Sequence, residues 1–353
     1  LAFDLNLLKR LLPDRSSSSL PLPYRNPPVI CFYGGEPLLR IDLIYKVMDE
    51  IVGEELEKSW GVDYVFQTNG TLLNEVDDAH LHRVSTILVS IDGDPSVTNK
   101  NRGEGTFEKA IENVKALRSR GFNGDIIARM TCGEWSEIDR DVLYLIETGL
   151  FDHVHWQIDA LWDSPRNARW TRDFTEWKDH TYNPGITRLC ETFAQQLMNG
   201  KVLGIAPLMG VTWSILANNP AHHVRCDSGN LSFNITTGGL ITACPIAADA
   251  EPVGKLSDKF EPQSVMGSEP LGGDGKCERC EVFGDCGGRC LYASRTDWWG
   301  VEGFDDVCGT VKHLSKELRR IVVPAAKEAI AKGLITLEQL KYPIFNNTVE
   351  IFP

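Results

Sequence analysis

Seven of the ten cysteines in the 353 residues fall between Cys226 and Cys308. Their spacing is Cys226-x12-Gly239-x4-Cys244, then Cys277-x2-Cys280-x5-Cys286-x3-Cys290, then Cys308. Thiolates two to five residues apart can converge on one metal centre, and Gly284, Gly287 and Gly288 supply the tight turns this needs. An odd count cannot pair entirely as disulfides, and a chain of this length is no small disulfide scaffold. Structural zinc is the plain alternative, since CxxC pairs commonly hold it. One zinc site would use four of the seven and strand three. One complete four-cysteine iron–sulfur cluster plus a second cluster with three cysteine ligands uses all of them.

A second constellation is FYGGEPLL, Phe32–Leu39, which follows an apolar run and opens a helical stripe. Paired glycines let the backbone approach a ligand closely, and exposed backbone groups with Glu36 suit a zwitterionic α-amino acid. QTNG (Gln67–Gly70) and SIDGDP (Ser90–Pro95) stand at equivalent strand ends and place Asn69 and Ser90 toward the same rim. Taken singly, each is also an ordinary turn. Three polar strand ends in succession are a stronger signal.

The elements that position these residues alternate regularly. Val29–Tyr33, Tyr64–Gln67, Thr86–Ile91, Ile126–Thr131 and Val154–Ile158 read as strands, the apolar ones as strands buried on both faces. Between them, Ile41–Lys58, Asn74–His82, Gly105–Arg120 and Glu137–Thr148 read as helices. Strand–helix alternation predicts parallel strands with right-handed crossovers in a partly closed α/β barrel, with its site at the C-terminal strand ends. Beyond Asp159 the pattern becomes Trp-rich and irregular. Helices are expected over 185–199 and 311–331, while 202–221 reads as strand, loop or buried helix. Trp156, Trp162, Trp170 and Trp177 read as core packing, with a substrate channel as the alternative.

Composition narrows the function classes. Lys and Arg number 36 against 49 Asp and Glu, a net charge of −13, which disfavours a phosphate backbone as partner. No secretory signal and no membrane span is evident, and free thiols suit a reducing, cytoplasmic setting.

FYGGEPLL, QTNG, SIDG followed by NRGEGTFEKAIENVKALRSRGF, and the seven-cysteine tail resemble radical SAM enzymes with a C-terminal SPASM domain. That group includes anaerobic sulfatase-maturing enzymes and peptide-modifying maturases, archaeal members among them. The resemblance covers roughly residues 29–310 and implies an α/β fold: a partial (β/α)6 radical SAM barrel lacking its first strand, followed by a small Cys-rich SPASM domain. The implied divisions are an irregular segment 1–28, barrel and connector 29–210, SPASM domain 211–310, and a C-terminal helix and tail 311–353. Implied cofactors are S-adenosylmethionine and [4Fe–4S] clusters, two auxiliary in this chain and one catalytic in a full-length protein. Gly34, Gly35, Glu36 and Pro37 would bind the amino group of S-adenosylmethionine. Asn69 and Ser90 would lie near its amino-acid and ribose parts, and Arg129 would pair with its carboxylate. Cys277, Cys280, Cys286 and Cys308 would hold one auxiliary cluster. Cys226, Cys244 and Cys290 would hold the other, its fourth site open to substrate or filled by Asp227, Cys190, His222 or His223.

The implied activity is modification of a peptide or protein by hydrogen abstraction with a 5′-deoxyadenosyl radical. The auxiliary clusters would accept an electron or bind substrate. Implied partners are that substrate and an electron donor such as ferredoxin or flavodoxin, with no nucleic acid and no membrane. Two departures qualify the resemblance. The CxxxCxxC loop of the catalytic cluster is not in this sequence, which begins with leucine and is expected to be truncated. Sulfatase maturases carry Asp after the cysteine matching Cys244, where this chain has Pro245, so a formylglycine-forming oxidase is the alternative reading. A non-catalytic iron–sulfur or peptide-binding scaffold is a further one.

Overall fold

In the computed structural model, the residues described are 28–53, 58, 61–159, 170–246, 252–256, 275–296, 300–342 and 353. Five strands, β1 (Val29–Phe32), β2 (Asp63–Thr68), β3 (Val84–Ser90), β4 (Asp125–Cys132) and β5 (His153–Ile158), form one sheet in chain order. The pairings β1–β2, β2–β3 and β4–β5 are parallel. This is the α/β architecture expected from the alternation, with the strand ends within two residues of the expected ones. Ile87, Leu88 and Val89 are fully buried in succession, as a strand covered on both faces requires.

The chain divides into two compact units. One comprises Leu1–Ser90, Glu108–Ile126 and Asp227–Ser268; the other comprises Ile91–Phe107, Ile127–Cys226 and Glu269–Pro353. In the first, β1 to β3 align so that Cys31 faces Val65 and Phe66 faces Ile87. The helix Thr106–Ser119 carries Ala110, Val114 and Leu117 as one buried stripe. A small antiparallel sheet, β6 (Asn234–Ile235), β7 (Leu240–Thr242) and β8 (Pro252–Lys255), holds the region around Cys244.

In the second unit, the helix Asn183–Met198 packs against helices Ile138–Glu147, Gly300–Glu317 and Val323–Ala331. Residues 206–216 settle as a helix buried on almost every side. The helix expected from Val311 begins at Gly300, so Cys308 lies inside it rather than before it. Gly303 and Gly309 mask the helical pattern there, since glycine weakens helix interiors. The helix Pro95–Arg102 has no sequence stripe: only Val97 and Thr98 are buried in it. Asp94 caps it by accepting the Val97 amide, and Pro95 at its first turn presets the backbone.

Trp156 and Trp177 are fully buried, and the Trp156 indole donates to the Tyr182 hydroxyl at 2.9 Å. Both are core residues, so neither lines a channel. Trp162 lies outside the described residues. No helix among the described residues is long and apolar enough to cross a membrane.

Candidate functional site

The cysteine-rich loops converge as their spacing suggests. Cys277, Cys280, Cys286, Cys290 and Cys308 line a single cavity whose other walls are mainly apolar, among them Val282, Phe283, Val307 and Val311. The chain reaches this arrangement through a short helix, Phe283–Cys286, that stops at three successive left-handed residues: Gly287 (φ 73°), Gly288 (φ 89°) and Arg289 (φ 54°). A Cβ at Gly287 would stand 2.1 Å from the His223 carbonyl oxygen, so both conformation and close approach demand glycine there. The reversal turns Cys290 back onto the cavity that Cys286 enters.

Buried polar ties fix the loop. Asp285, 3% exposed, accepts from Ser315 Oγ at 2.5 Å and from Arg319 at 2.6 and 2.9 Å. Arg225 donates to the carbonyls of Asp285 (2.9 Å) and Gly284 (3.1 Å). Burial pushes the Cys286 thiol up to about 12 and raises Cys308 as well. Such thiols ionise when a cationic centre takes the sulfur, which is what ligation by iron supplies.

All ten cysteines are unbridged. Among the described residues, no three His, Cys, Asp or Glu side chains crowd tightly enough to hold one metal ion. A four-iron cluster spreads its thiolates around a cube rather than around a point. Four thiolates suffice for such a cluster, so the cysteines lining this one apolar cavity include a donor set that fits it. Cys226 and Cys244 are buried, each in a different unit. Of the residues considered as a further ligand, Cys190 is fully buried in the helix Asn183–Met198, its thiol pushed up to about 12 by burial. His223 Nδ1 lies 3.0 Å from the Val224 carbonyl oxygen, and Asp227 holds a left-handed turn (φ 55°).

In the other unit, Glu36 is a lock between strand ends. Its Oε1 accepts from Thr68 Oγ1 (2.8 Å) and the Leu38 amide (3.1 Å), and its Oε2 accepts the Asn69 amide (2.7 Å). The carboxylate fixes the turn after β1 against the end of β2, with Pro37 starting a short 3-10 turn. A Cβ at Gly34 or Gly35 would meet no atom of the described residues within 4 Å, which leaves that backbone open to a ligand among them. Asn69 Oδ1 accepts from the Thr71 amide and hydroxyl (2.8 and 2.7 Å), the turn reading of TNG, while its side-chain amide nitrogen is not used in these bonds. Ser90 ends β3 in the same unit. Arg129 belongs to the other unit, on β4, where its Nε is buried with no hydrogen-bond partner among the described residues.

Sequence reasoning missed a network built on the Asp of SIDG. Asp92, 1% exposed, accepts Arg102 through both oxygens (2.6 and 2.9 Å), Asn101 (3.2 Å) and the Thr131 amide (2.8 Å). Beside it a cleft of 310 Å³ opens at the C-terminal ends of β4 and β5, with Lys100, Glu134, Trp135 and Trp170 around it. Lys100 Nζ lies 3.1 Å from the centre of the Trp135 ring. Asp92 and Arg102 are ten residues apart with no local motif to join them, so only the fold shows their pairing.

Residues 24–145, which contain the GGEP lock, match the Radical SAM superfamily. The chain carries a radical SAM domain. Relatives of the whole chain are distant. A cysteine-type anaerobic sulfatase-maturating enzyme of Clostridium novyi is 23% identical over 73% of this chain and 72% of its own length. The radical SAM cyclopropyl synthase TigE of Paramaledivibacter caminithermalis is 21% identical over 82% of this chain, which spans 60% of that protein. Among solved structures, native anSMEcpe with bound AdoMet superposes with a TM-score of 0.67 at 18% identity, covering 92% of this chain and 89% of that one. A further anSMEcpe structure, with AdoMet and the Kp18Cys peptide, gives 0.65 at 18% identity over 85% of each chain. The radical SAM domain and the cysteine cavity thus lie in a chain whose fold follows theirs.

Proposed function

We propose that this chain belongs to an enzyme that modifies a peptide or protein by radical chemistry. Cys277, Cys280, Cys286 and Cys308 hold one auxiliary [4Fe–4S] cluster; Cys226, Cys244 and Cys290 serve a second. The observation that carries this reading is the five-cysteine cavity in a chain with a radical SAM domain. S-adenosylmethionine bound to a reduced catalytic cluster would supply a hydrogen-abstracting 5′-deoxyadenosyl radical; no CxxxCxxC spacing occurs in these 353 residues.

This chain's own residues do the positioning. The Gly34–Gly35 backbone presents polar groups at the open end of β1, Glu36 holds that turn in register with β2, and Asn69 offers its amide nitrogen. Ser90 and Arg129 complete the proposed cofactor set, Arg129 as partner to a carboxylate. The polar cleft beside Asp92 suits a peptide: charged groups and two indoles can meet both its backbone and its side chains. A peptide-bound solved relative supports this substrate class. Sulfatase maturation is the second reading, favoured by the Clostridium relative, with Pro245 after Cys244 standing against it. An electron donor of the ferredoxin or flavodoxin type and a cytoplasmic setting complete the proposal. Anaerobic reconstitution followed by iron, sulfide and EPR analysis tests it: two four-iron clusters are expected, and a colourless zinc protein would reject it.

A further inference from the structure

One buried side chain in the cysteine cavity is neither a ligand nor an apolar wall. Arg289 stands between the Gly287–Gly288 reversal and Cys290, and it is 9% exposed. It holds a left-handed backbone (φ 54°), which costs a non-glycine residue about 1–2 kcal/mol and would suit glycine or asparagine better. Its Nε donates to the Pro353 carbonyl oxygen at 3.1 Å, and the residue lines the cavity with Cys277, Cys280, Cys286, Cys290 and Cys308. A buried arginine in a strained conformation, in the lining of a cavity shared with five cysteines, calls for a function that its charge performs.

We propose that Arg289 sets the reduction potential of the cluster held in this cavity. The inference rests on the reading that the cavity holds a [4Fe–4S] cluster. One-electron reduction adds a negative charge to a group already surrounded by thiolates. A fixed cation in a low-dielectric wall stabilises the reduced form more than the oxidised one and so raises the potential. Lys312 also lines the cavity, but it is exposed, so water and salt screen it. Arg289 is the buried cation in the lining of this cavity, and Lys312 provides an internal comparison.

The test is an EPR-monitored dithionite titration of the chain with Cys226→Ala and Cys244→Ala, which leaves one cluster to observe. In that background, Arg289→Gln and Arg289→Gly lower the ratio of reduced to oxidised cluster at the original midpoint by about tenfold, equivalent to ~59 mV for one electron. Arg289→Lys retains most of the potential, and Lys312→Gln moves it less than Arg289→Gln. Arg289→Gly also relieves the backbone strain, so it guards against a folding defect. Unchanged potentials with iron and sulfide intact overturn the proposal. Loss of the cluster from both neutral variants also overturns it, by making Arg289 a structural element. Absence of iron from the parent protein instead rejects the cluster reading itself.

Discussion

Replacing Asp92 tests the network that sets the loops after β3 and β4. Asp92→Asn removes the charge opposite Arg102 and turns an amide nitrogen toward donors that now meet an oxygen. Asp92 is 1% exposed and Arg102 22%, so the pair is shielded on one side and partly wet on the other. Breaking a buried pair costs about 3–5 kcal/mol; partial rehydration of Arg102 brings the expected loss to about 2–4 kcal/mol. A double-mutant cycle with Arg102→Gln separates the pair from the bond Asp92 makes to the Thr131 amide at 2.8 Å. Urea denaturation followed by circular dichroism supplies the four stabilities. The expected coupling is about 1.5–3 kcal/mol, within the range for residues in one buried network. A coupling below about 0.5 kcal/mol would mean that Asp92 and Arg102 act independently, and the account of the loops would be wrong.

The Asp141 side chain is fully shielded from solvent, and burial raises its pKa from the usual carboxylate value to about 6, against the opposing pull of Arg140. The native state then holds a proton that the unfolded chain releases at lower pH, so this site loses stability as pH rises from about 4 through 6, by on the order of 2–3 kcal/mol. Asp141→Asn should flatten that dependence in denaturation curves at pH 5 and 7; parallel curves for both proteins would contradict it. Gly287→Ala places a methyl group against the His223 carbonyl in a left-handed backbone, and should cost at least about 2 kcal/mol and most of the iron bound at the neighbouring cavity. Full iron content in that variant would count against the loop geometry. Tyr182→Phe strands the buried Trp156 indole N–H and should cost about 1–3 kcal/mol, read from the thermal midpoint and near-UV circular dichroism.

The strands and the cysteine cavity were legible because each writes a local signal. Continuous apolar runs such as Thr86–Ile91 specify strands buried on both faces, and short cysteine spacings force sulfurs into proximity. Five of the seven cysteines line one cavity, and the entry of Cys290 there depends on three left-handed residues in a row, which no spacing rule reveals. The GGEP motif drew attention to Glu36 but did not reveal it as a lock, because its partners Thr68 and Asn69 come from another strand end. Asp92 with Arg102 and the early start of the Gly300–Glu317 helix were missed for related reasons. The first pair is joined only by the fold, and the second is hidden by glycines that tertiary packing overrides.

Metal analysis of the anaerobically purified chain tests the central claim most directly, comparing the parent with Cys277→Ala/Cys280→Ala and with Cys226→Ala/Cys244→Ala. The account predicts a brown parent with iron and sulfide for two four-iron clusters, and each double variant retaining one. Zinc in place of iron, or iron content unaffected by either pair of substitutions, would contradict it.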